Sequence, residues 1–166
     1  YLDCLKDFYR ITGAPPLLPD YALGNWWSRY HIYTDTEYLN LLDKFEENDI
    51  ALTVAVIDMD WHYSDYAYKE LKIDETGHRD EKYGCGHDRE RGLGWTGYSW
   101  NKNLFPDYKS FLKKVKDKNL KITLNLHPKE GVRYFEDMYQ EMCDAMGQDA
   151  SEERPVEFNL TDEKFI

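Results

Sequence analysis

The segment ALTVAVIDMD (residues 51–60) limits what this chain can fold into more than any other stretch. Its apolar part is nearly continuous and rich in β-branched residues, the pattern of a parallel strand covered on both faces; a half-exposed antiparallel strand would alternate. Parallel strands are joined by long crossovers, usually helical, and the flanking sequence supplies them. On the N-terminal side, TDTE (residues 34–37) has the S/T-x-x-E pattern of a capping box. Tyr38, Leu41, Leu42 and Phe45 follow at the i, i+3, i+4, i+7 spacing of a helix face. YALGNWW (residues 21–27) reads as a strand before that helix. On the C-terminal side, Asp107 is placed to cap a helix carrying Tyr108, Phe111, Leu112 and Val115, and KITLNLHP (residues 121–128) reads as a third strand. Phe135, Met138, Met142 and Ala145 share one face of a further helix, and LTDEKFI (residues 160–166) reads as the start of another. Residues 1–20 form a separate lead-in: a helix with Leu2, Leu5 and Tyr9 on one face, then the proline-rich linker GAPPLLPD.

Strand and helix alternating in this way is the mark of βαβ units with right-handed crossovers. An open doubly wound sheet and a (β/α)8 barrel both satisfy it. No GxGxxG or P-loop follows any strand, which weakens the nucleotide-binding sheet and favours the barrel. A complete barrel takes ~250 residues. The fold expected is therefore α/β, a partial (β/α)8 TIM barrel: its first three strands with their helices, over residues 21–166, and a long insertion at about residues 61–104 after the second strand. On this reading the chain is a fragment, and its start at Tyr1 rather than Met agrees with that.

Both architectures bind ligands at the carboxyl ends of their strands, where Asp58 and Asp60 stand. If the strand runs that far, side-chain alternation puts the two carboxylates on one face and Met59 on the other. Carboxylates aimed at neutral hydroxyls accept charge-assisted hydrogen bonds, which suits a sugar. The plainer alternative is that one of them caps a turn or pairs with an arginine.

A net charge of −11 disfavours nucleic acid and anionic membrane surfaces as partners. An aromatic content of 16% offers flat faces to a neutral, ring-shaped ligand. Cys4, Cys85 and Cys143 are odd in number and widely spaced, which argues against a disulfide framework and points to a reducing, cytoplasmic setting. Within the insertion, His78, Cys85, His87 and Asp88 have the chemistry of zinc ligands without their usual spacing, so no metal is expected. Trp95, Tyr98 and Trp100 are suited either to stacking on a sugar or to packing a hairpin onto the barrel. His31 and His62 stand too isolated for a catalytic triad or a metal.

The segments TGAPPLLPDYALGNWWSRYHIY, VAVIDMDWH, GYSWNKNLFPDYKSFLKKVKDKNLKITLNLHP and GVRYFEDMYQEM occur in this order and cover nearly the whole chain. Together they resemble the catalytic barrel of glycoside hydrolase family 31, the α-glucosidase and α-xylosidase family. The resemblance implies a retaining mechanism with an Asp nucleophile after the fourth barrel strand and an acid/base Asp further on. Both would lie farther down than these residues extend, so the chain itself is expected to be inactive and to supply part of the pocket for the non-reducing sugar. By position in the motifs, Asp58 would bind sugar hydroxyls, Met59 would line the wall, Tyr30 would face the ring and Asn125 would lie at the floor. Asp60, Trp61, His127 and Trp95 complete the expected substrate-binding set. Asn125 and His127 depart from the family, many of whose members carry an aliphatic residue and an Asp there. The resemblance implies no cofactor; the expected partner is an α-glucoside oligosaccharide. The other readings are an α-xylosidase or α-galactosidase of the same family, a carbohydrate-binding barrel without catalysis and, more distantly, a metal-dependent hydrolase.

Overall fold

The computed structural model describes residues 1–63 and 95–164. Three short strands form a parallel sheet in the order β1 (Trp26–Trp27), β2 (Val54–Ile57), β3 (Lys121–Leu124). Trp26 pairs with Val54, and Val54 through Ile57 pair with Lys121 through Leu124. Sequential strands pair in chain order, as successive strands of a barrel do.

The helices come where the sequence places them, with two exceptions. Helix α1 (Leu2–Thr12) buries none of its residues, and Leu2, Phe8 and Ile11 are exposed. Helix α2 (Asp35–Glu47) starts on a complete capping box: the Thr34 hydroxyl accepts from the Glu37 N–H (3.2 Å), and the Glu37 carboxylate accepts from the Thr34 N–H (2.9 Å). Helix α3 (Tyr108–Asp117) is capped by Asp107, whose side chain accepts from the Ser110 N–H. Helix α4 (Tyr139–Met146) begins later than the Phe135/Met138/Met142/Ala145 pattern implies. Its buried face is Tyr139 and Cys143, while Phe135 and Met138 precede it. The cause is tertiary. Phe135 packs against Tyr63, the Glu136 carboxylate accepts from the buried Thr96 hydroxyl, and the Asp137 N–H donates to Ser99 Oγ. Residues bound in this way are not available to an earlier helical turn.

The second exception is LTDEKFI. The Asn159 side chain accepts from Thr161, and Asp162 accepts from the Lys164 N–H, so local turns replace a helix through residue 164. The first strand is also shorter than expected. Asp20–Leu23 makes a 3₁₀ turn before it, and the Asn25 carbonyl takes the N–H groups of Thr53 and Val54. Gly24 lies against Thr53 so closely that any side chain there would collide with it.

The core lies between the sheet and helices α2 and α3. Tyr38, Leu42, Ala55, Ile57, Phe105, Phe111 and Val115 are buried in it. Each fully buried large apolar side chain contributes about 1.5–3 kcal/mol relative to exposure. Tyr38 satisfies its hydroxyl by donating to the Val56 carbonyl (2.9 Å), and burial pushes its pKa above the usual tyrosine value. Lys118 closes the far end of the helix pair by bridging Asp43 and Glu46 of α2, and hydrogen bonding to Asp43 raises its pKa. No helix among the described residues is long and apolar enough to cross a membrane.

Candidate functional site

Strand β2 ends at Ile57, so the chain has left the sheet when it reaches the two aspartates. Asp58 is half-buried, whereas Met59 and Asp60 are buried. Asp60 adopts a left-handed backbone (φ 67°), a conformation that Asp tolerates better than most residues. Asp58 and Asp60 thus lie past the strand, where strand alternation no longer decides which way each side chain points.

Asp58 has an internal partner. Asn125, the first residue beyond β3, donates from Nδ2 to Asp58 Oδ1 at 2.7 Å. The backbone of Asn125 is fixed on both sides, because its N–H donates to the Ile57 carbonyl (3.1 Å) and its carbonyl accepts from Trp61 Nε1 (2.9 Å). β2, β3 and the loop after β2 thus converge at one point beyond the carboxyl ends of the strands.

Aromatic rings continue from there in a chain. Trp61 meets Trp100 and His62 edge-on at 5.2 and 5.1 Å, His62 lies 5.9 Å from His127, and His127 is 5.2 Å from Trp95. Backbone bonds keep this group in place: the His127 N–H donates to the Thr96 carbonyl, and the Glu130 N–H donates to the Trp95 carbonyl. The Glu130 carboxyl is shifted upward by burial, against the pull of Arg133 and Lys129.

Of the residues expected at a site, Asp58, Trp61, Asn125, His127 and Trp95 are brought into this one connected group. Tyr30 lies in the exposed segment after β1. Trp61 is buried (5% exposed), so its ring belongs to the core and its indole N–H to Asn125. Trp100 stacks on Tyr108 at 5.0 Å and meets Phe105 and Phe111, and Tyr98 packs on Phe158; these two serve packing. His78, Cys85, His87 and Asp88 lie outside the described residues, as does most of the insertion. Among the described residues no group of three or more His, Cys, Asp or Glu is arranged to hold a metal ion.

Two residues of this region escape a reading of the sequence. His62 looks isolated along the chain, yet it is fully buried against Trp61 and His127. Burial pulls its pKa down to about 4, against the opposing influence of Asp60 and Asp58, so it is neutral near pH 7. Glu136, buried and bonded to Thr96, ties the loop bearing Trp95 to the segment before α4. Neither carries a local signal, because the contacts with His127 and Thr96 come from far away in sequence.

The family described as glycosyl hydrolases family 31 TIM-barrel domain matches residues 15–158. An α-xylosidase of Saccharolobus solfataricus is 36% identical over 75 residues, 45% of this chain and 10% of that protein. Alpha-xylosidase XylQ of Lactiplantibacillus pentosus is 24% identical over 128 residues, 76% of this chain and 13% of that protein. Alpha-glucosidase 2 of Bacillus thermoamyloliquefaciens is 27% identical over 141 residues, 84% of this chain and 14% of that protein. The 166 residues thus match between 10% and 14% of the length of these relatives. With this match over most of its length and a parallel sheet in barrel order, the chain belongs to glycoside hydrolase family 31, within that family's TIM-barrel domain.

Proposed function

We propose that the carboxyl ends of these strands form part of the pocket for a terminal non-reducing sugar in a retaining α-glycosidase, an α-glucosidase acting on α-linked oligosaccharides. In this reading residues 21–166 are the N-terminal portion of the catalytic barrel, residues 1–20 are a lead-in helix and linker, and the two reacting carboxylates come from later strands. The observation that carries it is Asp58: an acid just past a parallel strand, half-buried and held by a neutral amide at 2.7 Å rather than by a cation. An acid paired with arginine would be structural; this one, bonded to a neutral amide, has acceptor oxygens to offer hydroxyl donors. Trp95, partly exposed beside His127, offers an aromatic face, and Tyr30 offers another from the β1 side. Met59, Asp60 and Trp61, all buried, shape the floor behind Asp58.

In a retaining mechanism the nucleophile and the acid must flank one glycosidic bond, with the sugar held against both. The role of these residues is to hold the ring while others react. An α-xylosidase is the second reading, favoured by the names of two of the relatives; α-glucosidase 2 matches a larger share of this chain than either.

The test is turnover of para-nitrophenyl α-glucoside and α-xyloside by the complete protein that contains these residues and by the 166-residue chain alone. The complete protein is expected to release para-nitrophenol with net retention at the anomeric carbon, faster from the glucoside, and the chain alone to release none above background. Faster release from the xyloside would select the second reading. Turnover by the chain alone, lost on replacing one of its own acids, would overturn the assignment of the chemistry to later strands.

A further inference from the structure

The side-chain amide of Asn125, just past β3, goes to Asp58, just past β2. A carboxylate only accepts hydrogen bonds, so the amide presents its N–H₂ to Asp58 Oδ1. The backbone of Asn125 is held, because its N–H donates to the Ile57 carbonyl and its carbonyl accepts from Trp61, so the amide is delivered from a fixed point. A donor on a held backbone therefore biases the Asp58 carboxylate toward one orientation and leaves Oδ2, with the remaining lone pair of Oδ1, for a ligand. The donor is uncharged, so it orients the acid without neutralising it.

We propose that Asn125 is a positioning residue: it acts on the sugar through Asp58, presetting the carboxylate so that little rotamer freedom is lost on binding. The inference rests on the sugar-binding reading of Asp58. It predicts that the contribution of Asn125 disappears when Asp58 is absent, and that an acid at position 125 works only when the pair carries a proton. Two carboxylates at hydrogen-bond distance resist ionising together, and the protonated pair restores an O–H donor in place of the amide. Among the described residues His62 faces Asp58, and Asp60 and His127 face His62 in turn. Comparing variant with wild type at each pH cancels their own titration.

The experiment measures kcat/KM on para-nitrophenyl α-glucoside in the complete protein for Asn125→Leu, Asn125→Asp, Asp58→Ala and the double variant Asp58→Ala/Asn125→Leu. Asn125→Leu is expected to lower kcat/KM about tenfold. Asn125→Asp is expected to be as poor at about pH 8 and to recover, relative to wild type, toward about pH 5. The double variant should be no worse than Asp58→Ala. If Asp58→Ala falls while Asn125→Leu stays at the wild-type value, or the double variant is worse by the full Asn125→Leu factor, the positioning role is wrong and the pocket stands. If Asn125→Asp follows the wild-type pH profile, the positioning role is equally wrong. If Asp58→Ala itself leaves kcat/KM unchanged, the sugar-binding reading fails and the inference with it. Asn125→Asp is nearly isosteric and keeps the test open should Asn125→Leu not fold.

Discussion

At the scale of single residues, the candidate site combines one acid proposed from the sequence with partners that the sequence hides. Asp58 is legible because a buried strand ending in a carboxylate points that carboxylate at the ligand end of a parallel fold. Its bond to Asn125 is not, since the two residues stand 67 positions apart and meet only because β2 and β3 pair in register. For Asp60 the alternation argument lapses, because β2 ends at Ile57 and Asp60 has a left-handed backbone. His62 carries the prediction at this scale. Its folded pKa, about 4, lies below the ordinary 6.5, so the unfolded chain takes up the proton first as pH falls. Stability from this residue is therefore fully present above about pH 6.5 and lost toward pH 4. Urea unfolding at the two pH values is expected to show the wild type losing about 3 kcal/mol more than His62→Gln. Equal acid sensitivity of the two proteins would mean that burial does not keep this imidazole neutral.

At the scale of elements, helices with a local start signal are readable and those set by tertiary contacts are not. Thr34 and Asp107 announce α2 and α3, and both cap as their sequences imply. Thr34→Ala should cost about 1 kcal/mol in thermal or chemical unfolding, since it removes one half of the capping box. Helix α4 has no such cap, and its true register is set by Phe135, Glu136 and Asp137 bonding elsewhere. The turn before it depends on Gly131, which has φ 65° and lies against the Val156 carbonyl where the Val132–Val156 bridge closes. Gly131→Ala would set a Cβ against that carbonyl and strain the backbone, so a loss of about 2 kcal/mol or more is expected by urea unfolding. A variant as stable as wild type would show that this segment rearranges freely.

At the scale of the whole molecule, alternating strand and helix patterns and the missing phosphate loop are enough to reach a parallel barrel, and family membership agrees. The order β1-β2-β3 needs no further information than chain order. Strand lengths and the joining of the Trp95 loop to the β3 end could not be read in this way, because they rest on contacts between residues far apart in the chain. The central claim is that the far end of this sheet holds a sugar through Asp58. It is tested most directly by Asp58→Ala in the complete protein, with kcat/KM for para-nitrophenyl α-glucoside and Tm taken on one preparation. Loss of charge-assisted bonds worth ~1.5–3 kcal/mol each predicts a fall in kcat/KM of about a hundredfold or more. Losing the single bond from Asn125 predicts only a small drop in Tm, a few degrees at most. A large drop in Tm with kcat/KM nearly unchanged would contradict the account and make Asp58 a structural acid.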